Sequence, residues 1–255
     1  MSISMSDVPF KERVNAALQN PDRLRAISSG AEAAFVKRNI VLESLPDPDA
    51  TRDLARQIRA HTIAHLDRYL AEFEANLTAN GGQVHWARDA DEARQIVLDI
   101  ATRVGAKRVA KSKSMVTEEI RLNAALEAQG SEVWETDLGE FIAQQAGDHP
   151  SHIIVPVMHL TRQEIGRVFH EKLGAPYTDE IPELNLIARR TLREVYLSAD
   201  MGITGCNFAV AETGSICLVT NEGNGRMVTA LPRVHVAVMG MERIVPTLDD
   251  LSVVA

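Results

Sequence analysis

The chain has 255 residues, 45% of them hydrophobic and 24% charged, and a formal net charge of −8 at pH 7. A sizeable core is available, and the acidic balance excludes a nucleic-acid groove as the main business, since phosphate binding needs a basic surface. Two cysteines exclude a disulfide-stapled scaffold, and no run of about eighteen apolar residues occurs, so membrane insertion is not expected.

The opening residues MSISMSDVPFKERV lack the apolar core of a signal peptide, so the cytoplasm is the expected compartment. Helical spacing then dominates. Apolar residues recur every three or four positions over FKERVNAALQNPDRLRAISSGAEAAFVKRNIVLESL, with Pro21 and Ser28-Ser29-Gly30 as punctuation. A long amphipathic helix follows, capped by Asp49 or Thr51 and ended by Asn80-Gly81-Gly82. Its stripe is Leu54, Ile58, Ile63, Leu66, Leu70, Phe73 and Leu77, which must pack on something. Residues 1–80 thus read as a helical arm and residues 81–255 as an α/β domain.

From Gly81 strand and helix alternate. QVHWA, AKRVAKSKS, SEVWET and SHIIVPVMH read as strands. DADEARQIVLDIATRVG, VTEEIRLNAALEAQG, LGEFIAQQAG and TRQEIGRVFHEKLG read as helices, the last opened by a Thr161 to Glu164 capping box. IPELNLIARRTLREVYLSAD adds one more helix, and RVHVAVMGMERIV a last apolar strand. This alternation predicts a parallel-rich sheet flanked by helices.

In such a sheet ligands bind beyond the carboxyl ends of the strands. Four polar clusters are predicted there. Lys111, Ser112, Lys113 and Ser114 precede a helix start and suit an anion. ETDLGE, Glu135 to Glu140, also directly follows a strand, and within it Asp137 either caps a helix or meets a ligand. His159 sits at a strand exit as a candidate base, with His152 at the opposite end of the same strand.

The fourth cluster lies in LSADMGITGCNFAVAETGSICLVTNEGNGRMVT. Thr204, Gly205 and Asn207 follow a short strand. Glu212, Thr213, Gly214 and Ser215 form a tight turn, and Asn221, Glu222, Gly223, Asn224 and Arg226 form the next. Glu212 closes a buried strand, where a carboxylate must find donors or act on a ligand. No phosphate-binding G-x-x-x-x-G-K-[ST] loop and no G-x-S-x-G nucleophile elbow is present, and no set of residues reads as a metal site. Cys206 and Cys217 read as small core residues.

KSKSMVTEEI, GSEVWETDLGEFI, HPSHIIVPVMHLTRQEI and the stretch from LSADMGITG to VMGMERI resemble the LUD domain of the LutB-type L-lactate utilisation iron–sulfur proteins. The resemblance covers most of the chain. It implies a fold of the NagB/RpiA/CoA-transferase-like group and a role in oxidising L-lactate to pyruvate with other subunits of a lactate-utilisation complex. Members of that family continue into a ferredoxin-like region whose cysteine motifs hold two 4Fe-4S clusters. Those motifs do not occur here, so no cofactor is expected on this chain and the clusters are expected on a further region or on partners.

Three functions follow as expectations. The first is a domain that binds a small carboxylate or phosphorylated ligand, with Arg226, Lys111 or Lys113 meeting its charge and Glu212 or His159 taking a proton. The second is a stand-alone CoA-transferase-like or sugar-phosphate-processing enzyme with Glu212 as nucleophile or base. The third is a non-catalytic assembly module working through the long helix. A homo-oligomer is compatible with each.

Overall fold

Four parallel strands carry the centre of the molecule. The computed structural model describes residues 9–148 and 155–255. Helices α1 (Phe10–Leu18), α2 (Pro21–Glu43), α3 (Pro48–Ala64) and α4 (Leu66–Ala79) come first. The α/β alternation follows as α5 (Ala90–Val104), β1 (Arg108–Lys111), α6 (Met115–Glu119), α7 (Leu122–Ala128), β2 (Glu132–Glu135) and α8 (Leu138–Ala146). Two helices, α9 (Arg162–Leu173) and α10 (Ile181–Ser198), lead to β3 (Met201–Gly205). A hairpin of β4 (Phe208–Val210) and β5 (Ser215–Cys217), then α11 (Asn224–Ala230), β6 (Val234–Val238), β7 (Ile244–Val245) and α12 (Leu248–Val254), complete the described chain.

The predicted α/β architecture with a parallel sheet is present. Strand β1 pairs in parallel with β2 and β3, and β3 with β6. One face buries Val109, Val133, Met201 and Ile203 under Val97 and Ala101 of α5 and Leu122 and Leu126 of α7. The other face places Ala110 against Val195 of α10 and Val228 of α11. Helices α8, α9 and α10 pack together through Phe141, Phe169, Leu184 and Leu192. A second, smaller sheet has the order β5-β4-β7, with β4 antiparallel to β5 and parallel to β7.

Several elements differ from the sequence expectation. The long helix breaks at His65 (φ −127°, ψ 33°), and Asp47, with Pro48 behind it, caps its first half in place of Asp49 or Thr51. Helix α3 leans on α12 and β7, while α4 lays Tyr69 and Phe73 on Ala209, Ala211 and Ile244 of the second sheet. The two halves thus seat on different partners, which one straight helix could not do. Phe73 is buried and Leu66, Leu70 and Leu77 pack around it, so the stripe of α4 serves this chain's own core.

QVHWA forms no strand; it is a connector, and Trp86 Nε1 bonds back to Glu74 Oε1 at 3.1 Å. VTEEIRLNAALEAQG breaks at Arg121, whose φ of 53° is left-handed, into α6 and α7. Of SHIIVPVMH, residues 151–154, including His152, lie outside the described residues. Residues 155–159 are turns, because Pro156 cannot donate to a ladder and packs on Gly139 instead. RVHVAVMGMERIV divides between the two sheets as β6 and β7. Among the described residues no helix is long and apolar enough to cross a membrane.

Candidate functional site

The carboxyl ends of β1 and β2 open onto Ser112, Lys113, Ser114, Thr136 and Asp137. Ser112 continues the strand, since its N–H bonds Ile203 O of β3 at 2.9 Å. Ser114 turns the chain into α6, its Oγ accepting from Thr117 N. Gly205 ends β3 beside it: a Cβ there would stand 2.9 Å from Ser114 Oγ, so glycine allows the close approach. Asp137 caps α8, accepting from the N–H groups of Gly139 and Glu140.

The loop 218–223, between β5 and α11, closes over this edge. Glu222 Oε2 accepts the N–H of Leu138 at 3.0 Å. Asn224 Oδ1 accepts from Thr220 Oγ1 at 3.2 Å, and its Nδ2 reaches Thr136 Oγ1 at 3.5 Å. Thr136 Oγ1 in turn donates to Lys111 O at 2.9 Å. Tyr196 of α10 lies within hydrogen-bonding reach of Thr136, and burial pushes its phenol up. Partial desolvation raises the Glu222 carboxyl; Asp137 adds to the rise, and Lys113 opposes it. One lysine, two carboxylates, five hydroxyl groups and an amide therefore converge at a single sheet edge.

Lys111 does not face that edge. Its side chain is fully buried, and Nζ lies 2.7 Å from Glu135 Oε1. Asn123 Nδ2 holds the same oxygen at 2.6 Å. Thr204 points into the α11 side of the sheet, where Oγ1 meets His235 Nε2 at 2.9 Å. Burial pushes His235 down, favouring the neutral ring.

The remaining predicted residues lie elsewhere. Glu212, Thr213 and Gly214 lie in the expected turn between β4 and β5 and Ser215 opens β5, at the opposite end of that hairpin from the Thr220 to Asn224 loop. The turn docks on α4. Asn76 Nδ2 binds Ala211 O and Glu212 O, and Asn80 Nδ2 binds Thr213 O. Glu212 Oε1 accepts from Leu248 N at 2.7 Å, at the start of α12. Glu212→Ala is therefore expected to lower stability by only about 1 kcal/mol, the scale of one exposed helix-terminus contact, as checked by urea unfolding.

Asn207 is exposed, and its Oδ1 fixes Val219 N at 2.9 Å. Asn221 and Arg226 are exposed, and Gly223 (φ 79°) turns the chain into α11. His159 is buried with Nε2 2.9 Å from Asp148 Oδ2, beyond the carboxyl end of α8. Asp137 caps the other end of that helix, nine residues long, so the two ends are about 13 Å apart along its axis at roughly 1.5 Å per residue.

Three participants were missed from sequence. Thr136 lies inside the ETDLGE cluster, where only Asp137 was singled out, and Tyr196 belongs to a helix stripe with no local signal. His235, the partner of Thr204, carried a signal: a histidine within the apolar strand VHVAV.

A LUD domain family model matches residues 70–255. The chain belongs to the LUD domain family. It is 48% identical to the lactate utilization protein B of Bacillus pumilus (strain SAFR-032), over 99% of this chain and 54% of that protein. It is 50% identical to the lactate utilization protein B of Macrococcus caseolyticus (strain JCSC5402), over 99% of this chain and 53% of the relative. It is 47% identical to the uncharacterized electron transport protein YkgF of Escherichia coli (strain K12), again over 99% and 53%. This LUD chain thus spans about half the length of the curated relatives it matches. No solved structure matches it.

The 4Fe-4S clusters that the resemblance implies do not fit this LUD chain's own residues. A cubane cluster takes four thiolates, and the sequence has two cysteines. Burial pushes the Cys206 thiol up to about 12, against the thiolate form a cluster needs. Among the described residues no group of three or more His, Cys, Asp or Glu is placed to hold a metal.

Proposed function

We propose that this chain is the ligand-binding LUD part of an L-lactate utilisation protein, and that the carboxyl edge of the four-stranded sheet takes a small carboxylate or phosphorylated anion. The observation that carries the reading is the convergence of Lys113, Ser112, Thr136, Glu222 and Asn224 at that edge, in a chain whose relatives are named lactate utilization protein B. Lys113 supplies the charge for the anion, and the hydroxyl and amide groups orient it. Glu222 is the residue for proton transfer, since partial desolvation raises its carboxyl above the ordinary glutamate value and it lies within electrostatic reach of Lys113. The contact of Glu212 with Leu248 N favours a capping role for that residue over a nucleophilic one.

Removing electrons from lactate needs a redox group, and no side chain here is one. The oxidation therefore falls to a further region or to partner subunits in the cytoplasm, with this domain presenting the substrate. The test is calorimetric titration of the chain with L-lactate, pyruvate and inorganic phosphate. At least one is expected to bind, and Lys113→Ala and Glu222→Gln are each expected to weaken it about tenfold or more. Binding that is absent for all three anions, or unmoved by both substitutions, overturns the reading.

A further inference from the structure

Beneath the sheet edge lies a buried group that the ligand reading does not use. Lys111, Glu135 and Glu140 are respectively 0%, 6% and 3% exposed. Lys111 comes from the end of β1, Glu135 from the paired end of β2, and Glu140 from the first turn of α8. Glu118 of α6 adds a further negative charge within reach of both Lys111 and Glu140. Asn123 of α7 holds Glu135, and the α9 and α10 residues packed on α8 are apolar, among them Phe169, Leu184 and Leu192.

The charge count decides the state of this group. One buried ammonium neutralises one buried carboxylate, and Lys111 is in contact with Glu135 at 2.7 Å. A second ionised carboxylate in the same space would be uncompensated, which costs several kcal/mol. Glu140 lies within hydrogen-bonding reach of Glu135, and Oε2 of each is buried with no other partner. Two carboxyl groups share a hydrogen bond only when one of them carries a proton.

We propose that α8 is a proton-dependent clamp. Glu140 must carry a proton for the first turn of α8 to seat on β2, and that same turn holds the loop over the sheet edge through Leu138 N–H to Glu222. Loss of the proton unseats the turn and frees the loop. The inference concerns the clamp alone and stands whether or not the edge binds an anion.

Burial and Glu135 raise the Glu140 carboxyl to about 9, against its ordinary value of 4.5. A group whose folded value is raised stabilises the fold fully below its unfolded value, and that contribution is lost as pH rises through its folded value. The window for this loss runs from about pH 4.5 to about 9.

Trp134 stacks near Phe141 of α8, with ring centroids 6.3 Å apart. The sequence has two tryptophans, so Trp86→Phe leaves Trp134 as the reporter of α8 seating. In that background the emission of Trp134 is expected to change in one alkaline step centred near pH 9. Glu140→Gln, which keeps the shape without the ionisation, is expected to abolish the step. Its advantage in thermal midpoint over the parent is expected to widen between about pH 5 and about pH 9.

Glu135→Gln tests the same idea independently. It leaves Lys111 with Glu140 as its carboxylate, so the step is expected to move down by more than about one pH unit. An emission step that survives unshifted in either variant overturns the proposal. So does a parent that shows no step between about pH 7 and about pH 10.

Discussion

Lys111→Met is expected to remove about 3–5 kcal/mol of stability at neutral pH, the range for stripping one partner from a buried ion pair. Methionine keeps most of the apolar volume of the stem, so the loss reports the charge and not a cavity. Glu135 then sits 6% exposed without its cation. It escapes the penalty by taking up a proton, and its folded value rises above its unfolded one. Stability of the variant is therefore retained toward acid pH and lost as pH rises through that raised value. Urea unfolding at about pH 5 and about pH 8 reads this directly: the gap to the parent is expected to be smaller at the acid end. A gap below about 1 kcal/mol, or one that is the same at both pH values, would falsify the account of Lys111 as a buried counter-ion.

The second large effect is expected at Gly214. Its φ is +64°, and an added Cβ would stand 2.3 Å from Leu77 N and 2.5 Å from Asn76 C on α4. The left-handed conformation costs a non-glycine residue about 1–2 kcal/mol. The overlap is with backbone, which cannot rotate away, and adds about 1–3 kcal/mol. Gly214→Ala is thus expected to destabilise the chain by about 2–5 kcal/mol, measured by the shift of the urea midpoint. Gly223→Ala is the control. Its φ of +79° is similar, but nothing lies within 4 Å of the added atom, so only the conformational part should appear. Equal losses at the two glycines would remove the docking of the turn on α4 as the reason for the glycine.

These two results separate structure from function within one stretch of sequence. AETGS and TNEGNGR look alike as strings: short, polar, glycine-bearing and placed after apolar strands. The first is held by Asn76, Asn80 and the start of α12, and the second crosses to Leu138 and Thr136. Which turn faces the sheet edge depends on the direction of β4 and β5. Antiparallel pairing of two three-residue strands sends their ends opposite ways.

Local pattern was enough for much of the fold. The capping box at Thr161 and Glu164, the cap at Asp137, and the left-handed glycines closing α5 and α8 act within a few residues of chain. The parallel sheet was legible because strand and helix alternate at lengths that permit crossovers. Lys113, Asp137, Glu222 and Asn224 were also visible as residues that follow strands. What the string alone could not assign was partnership. Lys111 and Lys113 are two positions apart and polar alike, yet strand periodicity turns Lys111 inward onto Glu135 while Lys113 stays at the edge. Glu140 looks like an ordinary first-turn helix acid. Only the packing of α8 on β2 puts it beside a buried ion pair, where the low dielectric makes its charge costly and its proton worth holding.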